Sequence, residues 1–448
     1  MNNIQKAFLL VIIIISIVIK LPYVSEPFIY PHDDNGALFS QAARNDIRFG
    51  FCITKGGMLL SPAKPDIQKK DYYINHPPLL PIILSFIFRI FGESELNARL
   101  LSLCFSVIGL YYFFKIVYNY FGYTEAIFSL IFASVVPISA FYGKMLNFEV
   151  FIFAIAMIVM YFFLKSQVSP LKSFFIELGL LSIISALIDF GFAFFVIGML
   201  FLIKDRADFK KWLVIFISMF IGYLIYIIHI AILQGTEVYR HLLISFLQRS
   251  SIIDSEIMPK SLYKFLLQQF ILFFPYYNFT IVGSLLFLSG FFLLKRYNKR
   301  IIIALLCSGI LNIFIFRNAA FIHEYWQFYL LPGVSLIVGI CLAELYKKMR
   351  LIPYVLCLLL FYQSLSILQN IYRDSHKFDE AIKISKILKE KIPEDGVVCI
   401  NKKFSKIHHI PFYADRRVVY EMKELDKYTK NIFLLLIDNN EIFIKKLK

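Results

Sequence analysis

Residues 77–92 read Pro-Pro-Leu-Leu-Pro-Ile-Ile-Leu-Ser-Phe-Ile-Phe-Arg-Ile-Phe-Gly (PPLLPIILSFIFRIFG). The run is apolar enough to enter a membrane. Its helical part, 79–91, reaches only about 20 Å at 1.5 Å per residue, against a hydrocarbon core of about 30 Å. Whether it crosses decides the side of every loop that follows. Longer apolar runs at about 7–25, 96–118, 124–142, 148–165, 173–188, 190–204, 212–233, 266–294, 301–318, 327–346 and 351–369 suit spanning helices, about eleven in all. If 77–92 stays uncrossed, fifteen bases fall in short cytoplasmic loops. They are Lys6, Lys115, Lys165 and Lys172, then Lys204, Arg206, Lys210 and Lys211, then Lys295, Arg296, Lys299 and Arg300, and finally Lys347, Lys348 and Arg350. Only six then lie in short external ones: Lys144, Arg240, Arg249, Lys260, Lys264 and Arg317. Basic loops favour the cytoplasm, so 77–92 is read as a helix lying along the outer face, within one long external loop from 26 to 95.

Composition agrees with this frame. Of 448 residues 59% are hydrophobic and 17% charged, with a mean hydropathy of +0.68, which excludes a string of soluble domains. The net charge of +16 would point to nucleic acid in a soluble chain. Here much of it is an orientation signal, and no nucleic-acid partner is expected. Cys52, Cys104, Cys307, Cys341, Cys357 and Cys399 show no CxxC spacing, so neither a zinc site nor a disulfide framework is indicated. No small-residue cleavage site follows the first span, which is read as an uncleaved anchor. After about residue 370 seventeen bases and twelve acids accompany short β-type runs at 397–400, 418–420 and 432–436 and a helical period over Asp379 to Lys391. The expected fold is therefore an all-α polytopic membrane module, 1–370, with interfacial helices, followed by a small α/β extracytoplasmic domain, 371–448.

Four polar clusters, far apart in sequence, fall on the external side. The first is Pro31-His32-Asp33-Asp34-Asn35, an acidic pair opening a helix. Carboxylates there suit a helix N-terminus, a catalytic base or a divalent cation such as Mg or Mn, although two ligands alone are a weak metal signal. The others are Asn75-His76-Pro77 with the Glu93-to-Arg99 stretch, Lys144 to Glu149, and His323-Glu324-Tyr325-Trp326. Singly each reads as a turn, a snorkelling residue or part of an aromatic belt. Together on one face they read as an active site at the membrane surface.

The ordered set of an anchor helix, an acidic pair, HPPL at 76–79, FGESELNARLLS at 91–102, PISAFYGKMLNFE at 137–149 and HEYWQFYLLPG at 323–333 resembles the GT-C glycosyltransferases of the protein O-mannosyltransferase and aminoarabinose transferase group. The resemblance covers about residues 1–370. It implies a transferase that takes a sugar from a polyprenyl-phosphate carrier to an extracytoplasmic lipid, glycan or protein acceptor in the cell envelope. It also implies an aspartate base in the first external loop, Asp33 or Asp34, with Asp33 favoured and Asp34 in metal, acceptor or capping contacts. The aminoarabinose transferases carry Lys where His76 stands. Charge developing on the departing phosphate calls for cations and donors, for which Lys144, Arg99, His323 and Tyr325 are the candidates. Glu149 either orients Lys144 or caps the fourth span. Because phosphate leaves without an acid to protonate it, one carboxylate can serve as base, and single displacement with inversion is the economical expectation. A lipid-linked glycan flippase, or a surface-polysaccharide polymerase or ligase, shares the size and hydropathy.

Overall fold

The structure is a computed structural model that describes residues 1–62, 71–168, 174–253, 261–276, 278–373, 379–400, 408–428, 431–438 and 441–447. Lys172 and Lys260, two of the bases counted for sidedness, lie outside the described residues. The chain opens with α1 (Asn3–Lys20), the amphipathic α2 (Asp34–Phe49), a single turn α3 (Phe51–Thr54), a hairpin of β1 (Met58–Leu59) and β2 (Tyr72–Tyr73), and α4 (Leu79–Phe91). Then follow α5 (Glu95–Phe121), α6 (Tyr123–Val135), α7 (Pro137–Tyr142), α8 (Phe148–Ser166), α9 (Phe174–Ala186), α10 (Phe192–Gly198) and α11 (Arg206–Gln234). After α12 (Val238–Arg249) come α13 (Leu262–Ile271), α14 (Ile281–Phe291), α15 (Lys299–Ile315), α16 (Arg317–Ile322), α17 (Leu331–Lys348) and α18 (Ile352–Arg373). Among the described residues six helices are long and apolar enough to cross a membrane, and six shorter apolar ones accompany them. The protein is an integral membrane protein.

Local chemistry explains the boundaries that position the site. Asn2 caps α1, accepting from the Gln5 N–H while the Gln5 side chain returns to the Asn2 N–H, which satisfies two otherwise orphan donors. Helix α4 covers the span that the sequence left uncrossed. It buries Leu80, Leu84 and Phe88 at helical spacing and exposes Phe86, Ile90 and Phe91, one face on α2 and the other free, as an interfacial helix should. Gly92, at φ 86°, makes the turn into α5 in a conformation that a Cβ would strain, and the Ser94 hydroxyl then caps α5 at the Asn97 N–H, 3.1 Å. The expected single span at 266–294 is two helices. Pro275 cannot donate to the backbone ladder, and Asn278 gives its amide to Gln327 Oε1 at 2.7 Å. Thr280, at φ 64°, restarts the chain as the cap of α14.

Helix α17 and the 3-10 turn before it, Glu324–Leu330, form the centre of the bundle, while α1, α11 and α18 expose residues such as Phe220, Ile232 and Leu358. In water such a belt would be an aggregation liability; against lipid tails it costs nothing.

The last domain comprises α19 (Asp379–Lys391), β3 (Val397–Cys399), α20 (His409–Ala414), β4 (Arg417–Val419), β5 (Ile432–Asp438) and β6 (Glu441–Lys446), with sheet order β4-β3-β5-β6. Strand β3 is parallel to both β4 and β5, and β6 is antiparallel. This domain is latched to the first loop. Arg48 grips both carboxylate oxygens of Asp415 at 2.8 and 2.7 Å, Arg44 donates to the Phe412 carbonyl at 2.7 Å, and Tyr413 Oη accepts the Phe28 N–H and donates to Glu95, both at 2.8 Å.

Candidate active site

The acidic pair is split by the fold. Asp33, 3% exposed, accepts from the Tyr30 N–H at 3.2 Å and from Arg99 Nη2 at 3.0 Å. Arg99 is itself 1% exposed and spends its remaining donors on the carbonyls of Tyr23, Val24, Glu26 and Pro27. The segment 21–33 is thus wrapped around one guanidinium, whose five fixed donors suit such a cluster of oxygens. Lys144 donates to the Pro22 carbonyl and sits 4.8 Å over the Tyr372 ring. Burial pushes the Asp33 carboxyl up, against the opposing pull of Arg99. Burial, helped by Arg99, brings the Lys144 ammonium down to about 7.

Asp34, the first residue of α2, points the other way. It makes no hydrogen bond or ion pair among the described residues, is only half-buried, and exerts its charge on Tyr73 and Tyr325. Both tyrosines line a polar cavity of about 270 Å³. The turn that separates the two acids is unusual, because His32 holds φ 62°, a conformation that is costly outside glycine. It is kept there by a 3.0 Å contact of Nε2 with Glu324 and by packing edge-on against Tyr325.

Four distant segments furnish the cavity. Leu79 N–H bonds to the Leu187 carbonyl at 3.1 Å, which ties the start of α4 to the end of α9 and sets His76 Nδ1 2.7 Å from Asp189 Oδ1. The ring stacks on Phe148, and Asp189 Oδ2 accepts the Gly191 N–H at 3.0 Å. Burial holds His76 below its usual range, more than Asp189 raises it. Burial pushes Asp189 up, but the hydrogen bonds from His76 and Gly191 outweigh it and leave it low. The pair is therefore a neutral imidazole donating through Nδ1–H to a carboxylate, with Nε2 left as an acceptor. Asn35 donates to Asn147 Oδ1 at 3.2 Å across the cavity. Glu149, in the first turn of α8, is buried with Oε2 unpartnered. Arg249, at the end of α12, brings a guanidinium to the cavity, where its charge acts on Tyr73.

The family model described as dolichyl-phosphate-mannose-protein mannosyltransferase matches residues 75–249. Two solved structures share the architecture along nearly the whole chain. An ArnT from Cupriavidus metallidurans, bound to undecaprenyl phosphate, aligns with TM-score 0.67 at 10% identity, covering 94% of this chain and 87% of that one. An Archaeoglobus fulgidus oligosaccharyltransferase tethered to an acceptor peptide aligns with TM-score 0.58 at 10% identity, covering 94% and 64%. The chain shares the fold of these two structures. No curated protein matches its sequence significantly.

Within this fold the residues expected from the sequence separate into two groups. Asp33, Arg99 and Lys144 form one buried cluster with Tyr372. His76, Glu149, His323 and Tyr325 line the cavity, and Asp34, next to its lining residue Asn35, acts on Tyr325 through its charge. Three expectations change. Asp33, the favoured base, is enclosed and paired with Arg99. Glu149 faces Asp189 rather than Lys144. The cations proposed for phosphate are largely engaged: Arg99 binds its own loop, and His76 and His323 are neutral, the latter brought down to about 3 by burial. Asn35 and Asn147, which lay inside the expected clusters, join the site, and Arg249 and Asp189 complete it without having been singled out for it. Asp189 carried a signal, a lone carboxylate between two apolar runs; Arg249 looked like any other loop base. The acidic pair does not fit a shared cation seat, since one carboxylate is committed to Arg99, and no cluster of three metal-ligating side chains occurs among the described residues.

Proposed function

We propose that this chain is a membrane glycosyltransferase that moves a sugar from a polyprenyl-phosphate carrier to an acceptor on the extracytoplasmic face, by inverting single displacement with Asp34 as base. The observation that carries this reading is a carboxylate, Asp34, at a helix N-terminus next to Asn35, which lines a cavity built from four distant segments and furnished with His76, Glu149, Asp189 and Arg249. The ArnT bound to undecaprenyl phosphate and the oligosaccharyltransferase tethered to an acceptor peptide support the lipid-linked donor and the acceptor on that face. A flippase or transporter would place its ionisable groups near mid-membrane, whereas here they lie at helix ends.

In the reaction the acceptor oxygen attacks the anomeric carbon as the carbon–oxygen bond to phosphate breaks, and Asp34 takes the acceptor's proton. The phosphate leaves as an anion without protonation. Arg249 and the remaining donors of Lys144 are the charges available to it. Neutral His76, fixed by Asp189, accepts a hydroxyl hydrogen bond at Nε2, and the unpartnered Glu149 oxygen offers a second acceptor for a sugar hydroxyl. Removing the fixing carboxylate should tell: Asp189→Asn is expected to lower kcat/KM about 100-fold and to alter its pH profile between pH 5 and 7, with expression unchanged. An unaltered profile and rate would remove His76 from the chemistry.

Mass analysis of surface glycolipids, glycans and glycoproteins in a deletion strain tests the activity itself, through one missing sugar. No missing sugar in any of the three pools overturns the reading. Sidedness has a separate check. Cys52 is exposed on the site face, while Cys399 is buried in β3. An impermeant maleimide should therefore label Cys52 in intact cells and leave Cys399 unlabelled until the domain unfolds. Protection of Cys52 in intact cells, relieved on permeabilisation, would invert the topology.

A further inference from the structure

The short helix α20 joins the terminal domain to the loop that carries the two acids. Phe412 meets Arg44 through its carbonyl and through its ring, with the guanidinium 4.1 Å over the ring centroid, and Asp415 meets Arg48. Contacts that advance together along both helices mean that α20 and α2 run in the same sense. Phe28 fills the angle between them. A Cβ at Gly36, in the first turn of α2, would lie 2.6 Å from the Phe28 ring, so only glycine admits it there. The same ring stands 5.9 Å from that of Phe412. His409 and Tyr413, one turn apart on one face of α20, stack at 6.4 Å, and the Tyr413 hydroxyl accepts the Phe28 N–H. His408, which opens α20 one turn before Phe412, therefore falls at the end where α2 begins. There Asp34 acts on it through its charge, while burial holds the imidazole below its usual range, more than Asp34 raises it. At the other end of the helix Asp33 acts on Tyr413 through its charge. The two acids thus face two different residues of one helix, and that helix belongs to the terminal domain.

We infer that His408 is a positioning residue for Asp34, supplied to the transfer site by the terminal domain. The inference rests on the transferase reading with Asp34 as base and names what holds that base. A carboxylate on the first residue of a helix turns about its side-chain bonds unless something fixes it, and a reacting group misplaced by about 1 Å can cost about 10²-fold in rate. Asp34 has no hydrogen bond or ion pair among the described residues. A neutral imidazole has one N–H to give. Donated to one Asp34 oxygen, it leaves the other to take the acceptor's proton. Catalytic hydrogen bonds commonly tighten only in the reacting complex. The contacts of Arg44, Arg48 and Tyr413 then do more than dock a domain, since they set the imidazole beside the base.

The test uses the full chain returned to the deletion strain, with the rate at which induced protein restores the missing surface sugar as the readout. His408→Leu keeps the bulk and removes the donor, whereas His408→Gln keeps an N–H. His408→Leu is expected to lower the rate roughly 10–100-fold, and His408→Gln to recover part of that loss. Cys399 should stay protected from maleimide in both, which reports the domain folded. His408→Ala repeats the measurement if His408→Leu disturbs the fold. Equal losses in His408→Leu and His408→Gln, or a wild-type rate in His408→Leu beside an inactive Asp34→Asn, would overturn the inference and leave Asp34 as base. So would exposure of Cys399 in both His408→Leu and His408→Ala, because His408 would then hold the domain rather than the base. Transfer by Asp34→Asn near the wild-type rate would remove the base itself, and with it both readings.

Discussion

Asp34→Asn is expected to lower transfer by roughly 10²–10⁴-fold, the range that a positioned general base contributes, in a protein that still inserts and folds. The amide is isosteric with the carboxylate and can still accept a hydrogen bond, but it cannot take the proton. The side chain makes no hydrogen bond or ion pair among the described residues, so no structural partner is lost. An acceptor hydroxyl titrates far above neutrality, which leaves the transition state dependent on a carboxylate within reach. The measurement is transfer from the polyprenyl-phosphate sugar that the deletion strain identifies, with kcat and KM determined separately. The loss should fall on kcat, because Asp34 acts in the transition state. Transfer within tenfold of wild type would refute the assignment. Dead Asp33→Asn protein of normal stability, beside an active Asp34→Asn, would exchange the roles of the two acids.

The distinction between those two acids marks where sequence reading stops. They are neighbours with the same chemistry. What separates them is Arg99, 66 positions downstream, together with a left-handed turn at His32. No local pattern reports either. Lys144 and Glu149 part for a similar reason: α8 begins between them at Asn147, so one points to the loop around Arg99 and the other into the cavity. By contrast, α4 was legible, because thirteen residues cannot span a bilayer whatever their composition. The helix over 379–391 and strands β3, β4 and β5 were legible from period and turn residues. Strand β6 was not, since Ile442 and Ile444 alternate with charged residues in a tail that reads as polar, and its pairing with β5 supplies the order. The break between α13 and α14 depends on Asn278 reaching Gln327, a contact that hydrophobic periodicity does not encode. Sorting charges by side grouped residues that the fold brings together around Arg99 and around the cavity; telling the two groups apart needed their distances.

Breaking the buried ion pair should have the largest effect on stability. Arg99→Ala leaves Asp33 enclosed without its countercharge and releases four loop carbonyls that the guanidinium now satisfies. Removing one partner of a buried pair costs about 3–5 kcal/mol, and unsatisfied buried acceptors add to it. Asp33→Asn should cost less, because Arg99 keeps its carbonyl partners and the amide oxygen can still accept. Arg99→Met combined with Asp33→Leu should be milder than Arg99→Ala alone, since an apolar pair of similar volume avoids burying any charge. The two changes are thus expected to be strongly non-additive. Thermal unfolding in detergent, followed by the fraction remaining monodisperse, reads all three. Arg99→Ala should lower the midpoint on the order of 10 °C, with the double variant recovering part of that loss. If Arg99→Ala melts like wild type, the guanidinium does not organise the loop, and Asp33 would be free to act as the base after all.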